Sequence, residues 1–446
     1  MEIAGKRIAV AGMGQSGLAV VEFLLAQGAR VRAIDCRPLE ELKEAGRTLE
    51  SLGVPFELQS PGAFEGVDSI VLSPGVPADL AELEAARQRG VPVLGEVELA
   101  SAYLKGPIIG ITGANGKTTT TALVGHILRA CGIPAQVGGN IGAPVTGMIA
   151  ASRPEQWNVL ELSSFQLETI AAFRAHIAVC LNVTPDHLDR HHSFENYANA
   201  KARLFETQAA VDYAVLNAGD ASCAEYGRRT SARTVWFSTA SAVSPGLYAD
   251  HARLYYDGAP FLEIAGIPLR GRHNVENTLA AAGAAHLAGA SLGAIATAVG
   301  TFPGVEHRIE FVRRLGGVDF YNDSKATNVD ATLKSIEAFP GRLWIILGGK
   351  DKGSDYTVLR EPLGRRARAA LLIGAAAPKI AAQLGDCVRL VHAGTLDAAV
   401  RAAFREAQPG DTVLLAPACA SFDQFDDYEH RGRVFKSVVA ALEEGH

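Results

Sequence analysis

Short apolar runs that stop at glycine, serine, asparagine or aspartate, then give way to helical spacing, recur along this chain. That pattern restricts the fold more than any other feature. "RIAVAG", "RVRAID" and "SIVLSPG" alternate with helical segments such as "GLAVVEFLLAQG" near the N-terminus. A second series runs through "PIIGITG", "WNVLELSS", "IAVCLNV" and "YAVLNA". A third runs through "VDFYNDS", "RLWIILGG", "AALLIG", "CVRLVHAG" and "DTVLLAPA". Strands alternating with helices build parallel sheets, and such sheets bind ligands where their strands end. The expected fold is α/β in three domains, 1–104, 105–305 and 306–446, divided at "KGPI" and "FPGVEHR" where Pro and Gly meet a change of pattern. Residues 221–272 read instead as short strands ("RTVWFS", "RLYYD", "FLEIA") forming an antiparallel addition to the central domain.

With 446 residues, 48% of them hydrophobic, the chain is long enough for three cores at roughly 150 residues each. Its net charge of −6 gives no basic footprint for nucleic acid or an acidic membrane surface, so any anionic ligand must be met by locally placed cations, helix N-termini or metal ions. The six cysteines form no C-x-x-C pair and read as reduced thiols of a cytoplasmic protein. "MEIAGKRIAVAG" enters a strand at once and leaves no room for a signal peptide. The stretch "TLAAAGAAHLAGASLGAIATAVG" (278–300) lacks Asp, Glu, Lys and Arg and is long enough to span a bilayer. It is Ala- and Gly-rich rather than Leu-rich, however, and Gly289, Ser291 and Gly293 read as a break between two short buried helices, so no membrane insertion is expected.

Two loops carry phosphate-binding chemistry. Gly12-x-Gly14-x-x-Gly17 follows a strand and opens a helix, with Asp35 ending the next strand. This dinucleotide fingerprint points literally to NAD; a ligand-free tight turn and another nucleotide diphosphate remain alternatives, since the loop reads pyrophosphate. Ser73-Pro74-Gly75 lies at another strand end. "ITGANGKTTT" (111–120) likewise joins strand to helix, although Ile111 stands where the strict phosphate-loop pattern has glycine. Gly113 and Gly116 free the backbone to wrap phosphate, Lys117 offers a point charge and Thr118 a hydroxyl for Mg²⁺. Glu161, ending an apolar strand, and Asp186, His187 and Asp189, after another, are the candidate hard ligands. His187 and His191 are four apart, but no Glu follows the first, so zinc-protease chemistry is not supported. Lys201, in the helical "ENYANAKARLFE", reads as an ordinary surface lysine. "GRHNVEN", "EHR", "NDSKATN", "GGKDKG" and "ACASFDQFDDYEHRG" are polar strings between patterned segments, as expected of a site where Arg and Lys meet anions.

Taken together, "TGANGKTT", "ELSSFQLE", "NVTPDHLDRH", "GRHNVEN", "HRIE", "NDSKATN" and "PACASFDQFDDYEHRG" resemble the Mur ligases of peptidoglycan synthesis over essentially the whole chain. The phosphate loop of that family, T-G-x-N-G-K-[ST], accommodates Ile111. The last two strings and the N-terminal glycine fingerprint resemble the branch that adds D-glutamate to UDP-N-acetylmuramoyl-L-alanine by way of an acyl phosphate.

By that resemblance the first domain binds UDP rather than NAD, through Gln15, Ser16, Asp35, Arg37, Ser73 and Gly75, with Asn140 and His187 reaching the same substrate. ATP is expected on Gly113, Ala114, Asn115, Gly116, Lys117, Thr118 and Thr119, with Asn274 and Asn277 at adenine and Arg308 and Asp323 near ribose and phosphate. One or two Mg²⁺ ions would sit on Thr118, Glu161, His187 and a carbamylated Lys201. Thr327, Lys352, Ser421 and Tyr428 would hold glutamate, Tyr428 departing from an expected Phe. Lys117, His187, Lys201 and Lys325 are the implied catalytic residues. A cytoplasmic monomer whose third domain closes over the second to exclude water is the expected working form.

Two other classes fit less well. An NAD dehydrogenase leaves Lys117 and "NDSKATN" unused, and a nucleotide-binding switch leaves the polar strings of the third domain unexplained. The D-N-P-R string expected of the diaminopimelate-adding branch does not occur.

Overall fold

The structure, a computed structural model, describes residues 3–443, apart from the side chain of Asp189. One compact unit holds the chain up to Ile267 together with Val275–Phe302; the other holds Pro268–Asn274 and the residues from Pro303 onward. The first unit contains two sheets and the second contains one, giving an α/β protein of three sheet domains.

The first sheet consists of β1 (Arg7–Ala11), β2 (Arg30–Asp35), β3 (Phe56–Leu58), β4 (Ser69–Leu72) and β5 (Val93–Gly95), all parallel, in the order β3-β2-β1-β4-β5. Successive side chains alternate between faces: Ile8, Val10 and Val71 enter one core, Ala9, Ala11, Ile70 and Leu72 the other. Both faces are covered, so the strands read as continuous apolar runs. The order reverses direction between β1 and β4, and the Gly12 and Ser73 loops leave from these two strands, where doubly wound sheets take their ligands.

The second sheet contains β6 (Ile108–Thr112), β7 (Ala135–Gly139), β8 (Trp157–Glu161), β9 (Ile177–Cys180), β10 (Tyr213–Asn217), β11 (Arg233–Ser238), β12 (Gly246–Ala249), β13 (Arg253–Tyr256) and β14 (Ala259–Glu263). Its order is β14-β13-β12-β11-β10-β9-β6-β8-β7, parallel from β7 to β12 and antiparallel only at β13 and β14. "RTVWFS" is therefore a parallel strand beside β10 and not part of an antiparallel addition. Residues 221–229, also expected to be irregular, form a helix capped by Asp220. The stretch 278–300 is divided between the helices Arg272–Leu287 and Leu292–Gly300, the second capped by Ser291, and no described helix is long and apolar enough to cross a membrane.

The third sheet is β15 (Glu310–Leu315), β16 (Val318–Asn322), β17 (Leu343–Gly348), β18 (Ala367–Ile373), β19 (Leu390–Gly394) and β20 (Thr412–Leu415), in the order β15-β16-β20-β17-β18-β19. Only the edge strand β15 is antiparallel.

Within the first unit the two sheets are tied by acidic side chains of the helix Glu96–Ser101. Glu96 accepts from the N–H and hydroxyl of Thr146 at 2.6 and 2.8 Å. Glu98 accepts from three successive backbone N–H groups, Ala171, Ala172 and Phe173, at 2.8–3.0 Å.

Two glycines of the first fingerprint are fixed by close approach. A Cβ on Gly12 (φ +87) would stand 2.6 Å from Val76 Cγ2, and one on Gly17 would collide with the Gly12 carbonyl oxygen. Gly17→Ala should therefore destabilise the protein by about 1–3 kcal/mol despite the better helix propensity of alanine. Gly75→Ala, with nothing within 4 Å, should be close to neutral. Urea unfolding measures both, and an unchanged midpoint for Gly17→Ala would contradict the packing.

Candidate active site

At the first sheet, β1 delivers Gly12 and the helix Gln15–Ala26 starts with no acidic residue in its first turn, leaving its N-terminus open to an anion. Gln15 is exposed and Ser16 half-buried there. Asp35 is buried and already engaged: Oδ2 accepts from Met13 N at 2.7 Å, and Oδ1 from Arg37 N and Nε, both at 3.0 Å. Burial pushes its carboxyl up, but the Arg37 guanidinium and the two backbone N–H groups hold it below its ordinary value. Asp35 thus shapes the loop, while Arg37, half-exposed, is the group presented outward. Ser73 is buried and donates its N–H to Ala11 O, so the second loop is laced to the end of β1.

The central cradle follows β6. Gly113 (φ +152) and Gly116 (φ +89) turn the chain into the helix Lys117–Ala130. A Cβ on Gly116 would collide with Asn277 Oδ1, so the Asn277 amide backs the loop. Asn182, beyond the end of β9, pins it from the side: its carbonyl accepts from Ala114 N at 2.8 Å, its Oδ1 accepts from Asn115 N at 2.9 Å, and its Nδ2 donates to Asn115 O. Lys117 Nζ donates to Gly113 O at 2.9 Å and Ala114 O at 3.0 Å. Thr118 and Thr119 are buried in the first helical turn.

Lys201 is not a surface residue. It is 1% exposed, donates to Gly113 O at 2.8 Å, and lies 4.6 Å from the centroid of the Tyr197 ring. Burial, then the neighbouring Lys117 charge, pushes its amine down to about 7. The helix Phe194–Glu206 turns this position inward beside Tyr197 and Leu204, a fact that the spacing of one lysine does not reveal.

Glu161 ends β8 and is 2% exposed. Asn140 Nδ2 donates to its Oε1 at 2.8 Å, while Oε2 is buried with no hydrogen-bond partner. An orphaned, buried carboxylate oxygen beside a phosphate loop and a buried amine is the donor chemistry a hard cation requires, so these residues fit Mg²⁺. His187 is half-exposed in a left-handed conformation (φ 52), its ring 4.9 Å from that of Phe165. His191, four residues on, is buried and faces Ser164 and Glu168 instead.

In the third sheet "NDSKATN" lies at the carboxyl end of β16, "GGKDKG" at that of β17 and "ACASFDQFDDYEHRG" beyond that of β20, whereas "EHR" precedes β15. Asp323 is buried, accepts from Ser335 Oγ, and is pushed up by burial against the pull of Arg308. Arg308 Nε is itself buried without a hydrogen-bond partner. Lys325 Nζ lies 5.5 Å over the Tyr428 ring. Burial and Glu429 push the Tyr428 hydroxyl up to about 12, so it stays protonated and donates to Glu429. Thr327 is half-buried, Ser421 buried, and Lys352 exposed on a loop tied to Ala420 through Lys350 N. Asn274 is buried and donates to Arg270 O at 2.6 Å.

Sequence reasoning passed over Asn182 and Arg431. Arg431 is fully buried and holds Ser324 Oγ, Ser324 O and Cys419 O at 2.8–3.2 Å, joining the loops that carry Lys325 and Ser421. Asn182 was signalled by a polar residue just beyond an apolar strand. Arg431, inside a helix among charged neighbours, gave no such signal.

Comparison with known proteins covers nearly the whole chain. Residues 6–95 match the Mur ligase MurD-like N-terminal domain, 111–285 the Mur ligase middle domain and 307–419 the Mur ligase glutamate ligase domain. The chain is 63% identical over 443 residues to UDP-N-acetylmuramoylalanine--D-glutamate ligase of Solibacter usitatus, covering 99% of each. It is 52% identical to the enzyme of the same name from Acidobacterium capsulatum, covering 99% of this chain and 97% of that one. Among solved structures, UDP-N-acetylmuramate-alanine ligase MurC of Thermotoga maritima shares the fold (TM-score 0.64, 20% identity, 98% of this chain, 100% of that one). So does MurF of Acinetobacter baumannii (TM-score 0.60, 19% identity, 98% and 94%).

The Lys201 environment makes stability depend on pH. Below about 7 both folded and unfolded chains carry the charge, and the folded one bears the whole burial penalty. Between about 7 and the ordinary 10.5 only the unfolded chain holds the proton, so stability rises with pH. Relative to Lys201→Met, the unsubstituted chain should gain stability across that window in CO₂-free buffer, read by urea unfolding. A pH-independent difference would contradict a buried amine.

Proposed function

The chain belongs to the Mur ligase family, and from that premise we propose that it is an ATP-dependent amide ligase joining D-glutamate to UDP-N-acetylmuramoyl-L-alanine. The observation that carries this reading is the cradle in which Lys117 and Lys201 meet on Gly113 O, with the orphaned Glu161 oxygen in the same sheet. We take the working domains as 1–104 for the UDP end, 105–305 for ATP and 306–446 for the amino acid. The enzyme acts as a cytoplasmic monomer in precursor synthesis for the cell wall, and so for cell shape and division.

In this reading the first domain takes UDP at the N-terminus of the helix Gln15–Ala26. Gln15, Ser16, Ser73 and Gly75 line it, and Arg37 meets the pyrophosphate. Asp35 contributes by holding the N–H of Met13 and the Arg37 guanidinium in place. Asn140 and His187 reach the acyl end. ATP lies on Gly113–Thr119, with Lys117 released from its loop carbonyls to the phosphate oxygens. Asn274 and Asn277 serve adenine, and Arg308 and Asp323 the ribose and phosphates.

Thr118, Glu161, His187 and Lys201 would hold Mg²⁺, which supplies charge neutralisation on the transferred phosphoryl group. Lys201 enters that set as a carbamate. Its amine, brought down to about 7, is partly neutral near pH 7, and that neutral form attacks CO₂: a C–N bond forms, one C=O bond becomes a carboxylate oxygen, and a proton leaves to water. A buried cation is thereby converted into a hard anionic ligand.

The chemistry follows from charge. A carboxylate resists attack by an amine, so the terminal phosphoryl group of ATP is first transferred to the alanyl carboxylate and ADP is released. The neutral glutamate amine, held with its carboxylates near Thr327, Lys352, Ser421 and Tyr428, attacks the acyl carbon; the C–O bond to phosphate breaks, the nitrogen gives up one proton, and phosphate departs with it. Lys325, over the Tyr428 ring, supplies positive charge beside that step.

Phosphate release with UDP-N-acetylmuramoyl-L-alanine, ATP and Mg²⁺ should require an added amino acid and should prefer D-glutamate to L-glutamate. Release independent of any amino acid would defeat the assignment. Lys201→Ala should lose about a hundredfold or more in rate and recover in part with added formate or acetate, as expected when one positioned charge is removed from a transfer site. Undiminished activity would take the carbamate out of the site.

A further inference from the structure

The turn bearing His187 is a single helical turn, Leu188–His191, entered through left-handed His187 (φ 52) and left through left-handed His192 (φ 65). Such backbone is unfavourable for residues with side chains and persists only when neighbours hold it. The neighbours here are specific. Glu168 accepts from Arg190 Nη2 at 2.9 Å through one oxygen and lies 3.2 Å from His191 Nδ1 through the other. The Arg190 guanidinium sits 5.1 Å from the centroid of the Phe165 ring, the same ring that packs against His187.

The same Arg190 nitrogen also donates to Val76 O at 2.9 Å. Val76 closes the turn begun by Ser73, its N–H donating to Ser73 O, and its side chain occupies the space over Gly12. One side chain therefore bonds the loop at the first sheet to the turn at the second. Arg190 and Glu168 are only 15% and 18% exposed, so this pair escapes most of the solvent screening that makes surface ion pairs weak. The Arg190 side chain bonds to none of the groups placed around ATP, metal or glutamate above, although its backbone N–H donates to the carbonyl of His187, one of the metal set.

We propose that Arg190 is a positioning residue that sets the separation between the two ends of the substrate's site, tying the Ser73–Val76 turn to the His187 turn. This rests on the reading that the nucleotide end of the substrate lies on the Gly12 and Ser73 loops and its acyl end near His187. A ligand that spans both loops feels the tie. A ligand confined to one end does not.

The test compares Arg190→Met, which keeps an apolar stem over Phe165, with Arg190→Lys and Glu168→Gln, all in the full chain. Calorimetric affinities for UDP alone, for ATP alone and for UDP-N-acetylmuramoyl-L-alanine are measured beside steady-state kcat and KM. Arg190→Met should weaken the spanning ligand about tenfold or more and lower kcat, the loss expected for charge-assisted hydrogen bonds in a largely buried pair, with UDP and ATP held within about twofold. Arg190→Lys should recover part of the loss, and Glu168→Gln should repeat the pattern in milder form. Equal weakening of all three ligands would mark Arg190 as merely structural and overturn the proposal, as would no weakening of the spanning ligand. If the unsubstituted chain fails to bind UDP, the reading of the first domain fails and this proposal falls with it.

Discussion

Parallel strands all point the same way, so a sheet built from them delivers every following loop to one edge, and the site depends on that constraint. In the central sheet β6 lies between β8 and β9. The phosphate loop, Glu161 and Asn182 leave those three strands in adjacent places although they are far apart in sequence. The third sheet does the same with Asp323, Gly348, Gly374 and Pro417, at the ends of β16, β17, β18 and β20. Helices then need only present their N-termini to the same edge, as the helix Lys117–Ala130 does.

Once loops have been gathered, charges must be buried with them, and the protein treats its buried cations in two ways. Lys201 can give up its proton, and burial brings that exchange close to neutrality. A guanidinium cannot escape its charge near neutral pH, so Arg431, pushed down to about 10 by burial, is instead surrounded by one hydroxyl and two backbone carbonyl acceptors. One charge is thereby easily lost and the other is held by its acceptors. Glu161 stands between these cases, with one oxygen satisfied by Asn140 and the other left to a partner the protein does not supply.

The periodicity of the chain made most strands readable, because buried parallel strands are continuous apolar runs with polar ends. It missed β3 and β5, only three residues each, β7, whose "AQVGG" is half-buried and glycine-rich, and also β12 and β15. It assigned β11 to an antiparallel ribbon because neighbours in space are not visible in composition. Gly113, Gly116, Lys117 and Glu161 were legible because each sits at a strand end with suitable chemistry. Lys201 was singled out only through family resemblance, since its burial comes from the helix face that turns it inward. Asp35, expected at the ligand by motif, also binds Met13 and Arg37, which the motif does not reveal. Tyr428 keeps an aromatic face toward Lys325 while its hydroxyl turns to Glu429, so replacement of the expected Phe leaves that face in place.

The Glu98 clamp bears on how the chain is made. The first sheet is complete in sequence once β5 has emerged, yet the helix that follows it offers Glu98 to N–H groups more than seventy positions downstream. The strand β6 likewise waits for β8 and β9 before either of its edges is paired. A chain growing from its N-terminus therefore presents a complete first sheet, followed by an apolar strand that stays unpaired until β8 emerges and paired on one edge only until β9 does. The interval from residue 98 to about 180 is where a chaperone would find exposed backbone to protect, and where slowing of the ribosome would leave it uncovered longest.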